Sequence, residues 1–126
     1  MIVDTDVLIW YMRGNQKARK VLDNLDYISI SIVSYMELIQ GIRNKNELRE
    51  LKAYVSEERI NILPITEMMS LRAAHFMEEF SLSHDLRLAD ALIAASVSET
   101  GNQLLTANTK HYEMITGCPL IKFRPD

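Results

Sequence analysis

Apolar positions along the chain switch repeatedly between a strand-like and a helix-like period. Met1-Ile2-Val3 is a short apolar run closed by Asp4 and reads as a strand. Val7 to Met12 reads as a helix stopped by Gly14, and Asn15 to Asp23 as a second short helix. Tyr27-Ile28-Ser29-Ile30-Ser31-Ile32 alternates at period two with β-branched residues, which predicts a strand. Tyr35, Leu38, Ile39 and Ile42 then recur at i, i+3, i+4 and i+7, the stripe of an amphipathic helix. Lys45 to Glu58 is a charged helix with Leu48, Leu51, Lys52 and Val55 along one stripe. Ile60 to Leu63 predicts a strand stopped by Pro64, and Glu67 to Phe80 a helix. Leu88 to Thr100 is apolar nearly all round and ends at Gly101, which predicts a buried helix with a glycine cap. Gln103 to Thr106 reads as a strand, Thr109 to Ile115 as a short helix and Pro119 to Phe123 as a final strand.

Strands separated by helices imply βαβ units with right-handed crossovers. The expected fold class is α/β, a mostly parallel sheet of about five short strands flanked by helices. With 126 residues, no repeat and no linker-like stretch, one domain over residues 1–126 is expected. Hydrophobic residues at 48% and charged residues at 25% exclude a disordered tail or a low-complexity protein. The lone Cys118 excludes an intrachain disulfide and a multi-cysteine zinc site. No apolar run approaches the length of a spanning helix, and the acidic start Asp4-Thr5-Asp6 is unlike a basic signal peptide. A cytoplasmic protein that does not enter the membrane is the expectation. Fourteen basic residues against 17 acidic ones give a net charge of −3, so bulk attraction to nucleic acid is excluded. Any polyanion must be met by a local basic patch, or through a metal ion set between phosphate and carboxylates.

Open α/β sheets bind ligands beyond the carboxyl ends of their strands. That rule selects Asp4, with Asp6 two positions on, and Thr106 and Asn108 after the fourth strand. Asp4 is equally suited to capping the next helix, and Asp6 fits capping or dipole support better than chemistry. Glu37 is the one charged residue between Asp26 and Arg43, in a helix with no basic residue at i+3 or i+4; a solvated face is its plain alternative. Asp90 is the one charged residue between Arg87 and Glu99 in a helix suited to the interior, with an ion pair to Arg87 as its plain alternative. An unpaired buried carboxylate costs several kcal/mol or takes up a proton. Asp4, Glu37 and Asp90 together therefore suggest one acidic pocket around a divalent cation. All-oxygen ligands favour Mg²⁺ or Mn²⁺ over zinc. His75, His84 and His111 stand apart in sequence and read as surface residues or as neighbours of a site.

Four blocks in order carry a resemblance. They are Ile2 to Ile9, Ser34 to Leu38 with Gly41, Arg87 to Ala95, and Leu105 to Tyr112. The chain resembles the PIN-domain family, and within it the VapC-type toxins of type II toxin–antitoxin pairs. The resemblance spans Ile2 to Phe123 and implies a three-layer α/β domain and a metal-dependent endoribonuclease. By matching positions it makes Asp4, Glu37 and Asp90 the acidic metal-site residues. Asn108 stands where many relatives carry a fourth carboxylate, and Thr106 assists by hydrogen bonding. The implied reaction is hydrolysis of an RNA phosphodiester by a water that the metal activates. The resemblance also implies an RNA substrate, a homodimer and a small antitoxin whose tail enters the active-site groove.

Three rival readings stand beside it. Asp4-Thr5-Asp6 after an apolar strand also resembles the motif of haloacid dehalogenase-like phosphatases, with Asp4 as nucleophile and Asp6 as acid/base. That family needs a further acidic pair which is missing, and it leaves Glu37 and Asp90 unexplained. A receiver-type domain is weaker still, because Ile60-Asn61-Ile62-Leu63-Pro64 lacks its aspartate. The other rival is a non-catalytic PIN-like binding module. Arg13, Lys17, Arg19 and Lys20 form a cluster without an intervening acid, suited to steering RNA or to a plain solvated face. Trp10, Tyr11, Met12, Met36, Met68 and Met69 exceed what a small core hides, which predicts self-association.

Overall fold

A computed structural model describes residues 1–126. Its strands are β1 (Ile2–Val3), β2 (Ser29–Ser31), β3 (Asn61–Leu63), β4 (Leu104–Thr106) and β5 (Leu120–Lys122). They form one sheet in the order β3-β2-β1-β4-β5, with every pairing parallel. Between them run α1 (Thr5–Met12), α2 (Gln16–Asp23), α3 (Ile32–Gln40), α4 (Lys45–Glu57), α5 (Glu67–His84) and α6 (Leu88–Thr100). A 3₁₀ turn, Thr109–His111, follows β4.

Period-two alternation divides the strands between two cores. Ile2 of β1 and Leu104 of β4 pack with Met69 and Phe76 of α5 and Ile93 of α6. Their neighbours Val3 and Leu105 pack on the opposite face with Val7 and Leu8 of α1 and Leu22 of α2. The result is a helix–sheet–helix sandwich in which β1 and β4 are covered on both sides, as expected for parallel strands. No helix is long and apolar enough to cross a membrane.

The structure corrects the expected boundaries in several places. The strand expected to reach Ile32 ends at Ser31, whose hydroxyl caps α3 by accepting from Val33 N–H. Tyr27, expected to begin that strand, is exposed. Ile42 falls beyond the end of α3. Helix α5 runs one turn further than Phe80, to His84, and closes on Asp85 in the left-handed region. The helix expected over Thr109 to Ile115 shrinks to the single 3₁₀ turn. Helix α6 has the expected bounds, and Gly101 closes it at φ +66°, where a side chain is strained. Met69 is buried in the core, unlike the exposed Met12, Met36 and Met68 with which the sequence grouped it.

Candidate active site

Successive strands step from β1 outward to β2 and β3, and the chain then returns across the sheet to β4 on the other flank of β1. The strand order therefore reverses between β1 and β4, the point beyond whose carboxyl ends open α/β sheets bind their ligands. Asp4 follows β1 and Thr106 closes β4, so these two residues stand at that point. Asp4 is buried and uses both oxygens. Its Oδ1 caps α1 by accepting from Thr5 N–H at 2.8 Å, and its Oδ2 accepts from the Thr106 hydroxyl at 2.8 Å. Capping and site-building are thus functions of one carboxylate.

Asp6 does more than support the helix dipole. Its Oδ1 accepts from Val7 N–H at 2.7 Å, while its Oδ2 accepts from Ala107 N–H and Asn108 Nδ2, both at 3.0 Å. It pins the loop after β4 to the start of α1. Asn108 is exposed, with its backbone N–H held by Thr106 Oγ1 at 3.0 Å.

The other two carboxylates come from helices. Glu37 projects from α3, half-buried, and Thr5 Oγ1 donates to its Oε1 at 2.7 Å while also bonding Ser34 Oγ at 2.9 Å. Asp90 lies in the first turn of α6, half-buried, where Tyr112 donates its hydroxyl to Oδ1 at 3.2 Å. His111 Nδ1 lies 3.4 Å from Asp90 Oδ2. Arg87, the expected ion-pair partner, turns instead to Asp85 at 3.1 Å. His111 is thus the one histidine beside the acidic residues; His75 and His84 lie on α5. Glu37 reaches Asp4 through Thr5, whose hydroxyl binds one carboxylate and whose backbone N–H binds the other. Tyr112 bonds only Asp90, but its hydroxyl lies near enough to Asp4 for each to shift the other's titration.

The electrostatics follow from this crowding. Burial, then the neighbouring charge of Asp6, raises Asp4 from the ordinary carboxylate range to about 7, against the pull of its hydrogen bonds. Burial also raises Asp6 and Asp90, with His111 opposing the rise in both. Burial first, and then Asp4 and Asp90, drive the Tyr112 hydroxyl upward, so it stays a donor. No lysine or arginine is bonded to any of the four carboxylates, and His111 beside Asp90 is the one basic side chain in contact with them. No three acidic, histidine or cysteine side chains converge tightly enough to enclose one ion by themselves.

Four contributors lay outside the sequence reading: Thr5, Ser34 and Tyr112, and the bridging role of Asp6. The proximity of Asp6 to Asp4 was the one signal available. A threonine inside a helix and a tyrosine after a turn carry no mark of what they will touch.

The model of the PIN domain family matches residues 1–115. The chain belongs to the PIN-domain family. Ribonuclease VapC10 of Mycobacterium tuberculosis is 37% identical over 118 residues, covering 90% of this chain and 86% of that protein. Among solved structures, a toxin–antitoxin complex from Klebsiella pneumoniae superposes with a TM-score of 0.76 at 26% identity, covering 99% of this chain and 97% of that one. VapBC2 from Rickettsia felis, bound to a DNA fragment from its promoter, gives a TM-score of 0.82 at 19% identity over 98% of both chains, a likeness of fold. In this PIN domain the family match takes in Asp4, Glu37, Asp90, Thr106 and Asn108 alike.

Proposed function

We propose that this PIN domain is a divalent-metal-dependent endoribonuclease and the toxin of a toxin–antitoxin pair. The observation that carries the reading is the buried Asp4 beside Asp6, joined through Thr5 to Glu37, with Asp90 held by Tyr112 nearby and no lysine or arginine bonded to any of the four. The kinship to VapC10 supports the same activity.

The residues present fit a hard cation. The carboxylates of Asp4, Glu37 and Asp90 offer oxygen ligands, the preference of Mg²⁺ or Mn²⁺, and a divalent charge makes their joint ionisation tolerable. Asp4, Glu37 and Asp90 would hold the ion, with water completing its shell, since Mg²⁺ keeps several waters. When bound, it supplies nucleophile activation and Lewis-acid stabilisation at the scissile phosphate. The chain's own residues set the stage for that. Thr106 and the α1 backbone fix the orientation of Asp4, and Thr5 restrains Glu37. Tyr112 donates to Asp90, while Asp6 and Asn108 hold the wall formed by the loop after β4.

The aspartate-nucleophile alternative needs a further acidic pair that the chain lacks, and it gives Glu37 and Asp90 no part. For partners, we assign an RNA substrate and an antitoxin. A groove of about 570 Å³ lined by Ile9, Met12, Leu38 and Ile42 reaches Glu37 and suits an antitoxin segment. Exposed Met68, Leu71 and Leu82 on α5, with Leu88 on α6, are apolar surface for a homodimer.

The deciding experiment incubates purified protein with a mixed RNA pool, with Mg²⁺, with Mn²⁺ and with EDTA, and maps cut ends. Cleavage that requires the ion and is lost in a folded Asp90→Asn variant is expected. No cleavage under any ion, or equal cleavage by Asp90→Asn, overturns the reading.

A further inference from the structure

The basic cluster that the sequence groups as Arg13, Lys17, Arg19 and Lys20 is dispersed by the fold. Arg13 lines the groove beside Glu37, and Arg19 lies over the Tyr11 ring at 5.4 Å. Lys17 and Lys20 face the other way. They line a cleft of about 240 Å³ together with Lys122 at the end of β5 and Arg124 just beyond it. Asn15 brings these segments together, since its Nδ2 donates to Pro125 O at 2.9 Å and so ties the start of α2 to the stretch after β5.

A second cleft of about 190 Å³ adjoins the first. Lys122 lines both, and Lys110, His111 and Asn108 complete the polar wall of the second. Neither cleft is lined by a carboxylate, although the chain is acidic overall. Lys17, Lys20, Lys110, Lys122 and Arg124 form no ion pair, whereas Arg43, Arg72 and Arg87 all do. The second cleft ends at the acidic pocket, because Asn108 is hydrogen-bonded to Asp6 and His111 lies against Asp90.

We infer that these two clefts are one track for the phosphate backbone of single-stranded RNA, running from Lys17 and Lys20 past Lys122 and Lys110 to the acidic pocket. The inference rests on the ribonuclease reading for the identity of its polyanion. Four of the five unpaired cations are lysines, compact charges on flexible stems that suit a repeating phosphate without reading sequence. The layout of the track also favours RNA over an acidic peptide. The cations along it are spread over both clefts, a spacing that suits a polymer with a charge on every unit.

The test is fluorescence anisotropy with a labelled single-stranded RNA of about 12 nucleotides. It is run in EDTA over KCl from about 50 to about 200 mM. Neutralising one phosphate contact on a single strand changes the slope of log K against log salt by about 0.7. Lys17→Gln and Lys122→Gln should each flatten the slope by about that amount, and together weaken binding about tenfold near the middle of the range. Lys52→Gln, exposed on α4 and lining neither cleft, should change nothing. Slopes and affinities of the track variants equal to the parent's overturn the proposal, as does displacement of RNA by an equal concentration of a polyglutamate peptide. RNA cleavage by the parent is scored separately. If the track variants lose binding while the parent cuts no RNA under any ion, the track stands and the ribonuclease reading falls.

Discussion

The four carboxylates fall into two pairs that are held quite differently. Asp4 and Asp6, beside the strand ends, accept five hydrogen bonds from backbone and side-chain donors at 2.7–3.0 Å. Glu37 and Asp90, on helices, accept one each, from Thr5 and Tyr112. The strand-end pair is the more firmly held, since its donors come from the first turn of α1, from β4 and from the loop after β4. Glu37 and Asp90 are half-buried and have fewer donors to fix them. On the metal-site reading, Asp4 would set the position of the ion, and Glu37 and Asp90 would complete its protein ligands.

The largest expected effect is on catalysis. Asp4→Asn and Asp90→Asn should each lower metal-dependent cleavage by about 10³-fold or more, the scale for removing a group that acts on transition-state charge. Circular dichroism should show both variants folded. Full activity in either would remove that residue from the site.

The pairs should separate in stability. Asp4 has a folded pKa of about 7 against an ordinary 3.8, so between those values the native state binds more protons than the unfolded state. Stability from this group is greatest below pH 4 and falls as pH rises to 7, by about 4 kcal/mol at 1.36 kcal/mol per unit. Asp6 and Asp90 are raised too and act in the same direction. Without metal, the melting temperature of the parent should therefore drop from pH 5 to pH 8, and Asp4→Asn should flatten the curve. Adding Mn²⁺ at pH 8 should restore the parent and leave Asp4→Asn unchanged. A parent curve without slope would mean that the crowding of the strand-end pair is relieved in solution.

Thr106→Val tests the hold on the strand-end pair directly. It removes the donor to buried Asp4 and the acceptor for Asn108 N–H, at a cost of about 1–3 kcal/mol in chemical denaturation. Orienting partners of a metal ligand typically matter 10–100-fold, so cleavage should fall by about that factor. Thr106→Ser, which keeps the hydroxyl, should recover most of it.

The smallest effect is expected at Asn108. From sequence alone, Asn108→Asp adds charge for the metal and lowers the Mg²⁺ requirement. The structure reverses the first consequence, because the Asn108 amide donates to Asp6 Oδ2 and an aspartate there meets it as a like charge. The variant should lose about 1 kcal/mol of metal-free stability in urea titration. Its Mg²⁺ titration should regain the loss if the ion lies within reach of residue 108, and should not if it lies beyond.

Alternating strand and helix periods were readable in the sequence because each element is amphipathic or buried at its own period. Boundaries were less so. Ile32 continues the β-branched run of β2, and only the Ser31 side chain turning onto Val33 N–H shows that a helix has begun. Asp4 and Thr106 were reachable by reasoning, since parallel strands place their carboxyl ends on one edge. Glu37 and Asp90 stood out as lone charges in apolar helices, yet the groups that meet them did not. Thr5 and Glu37 are 32 positions apart and Tyr112 and Asp90 are 22 apart, and no local pattern encodes such contacts. The basic cluster failed for the opposite reason. Its members are neighbours in sequence, but Arg13 closes α1 beside the Glu37 groove, while α2 sends Lys17 and Lys20 to another cleft and Arg19 to the Tyr11 ring.

The pairing of β1 with β4 also governs when the molecule becomes complete. Asp4 and Thr106 are 102 positions apart, and Val3 finds its partner only in Leu105. At a synthesis rate of about 5–20 residues per second, the first half of the pocket waits roughly 5–20 s on the ribosome before the second half exists. Throughout that interval β1 has an unfilled flank, and Asp4 lacks the hydroxyl that orients it. A nascent chain is therefore harmless to RNA until β4 and Thr106 have been made, and a partner protein made at the same time has those seconds in which to be ready.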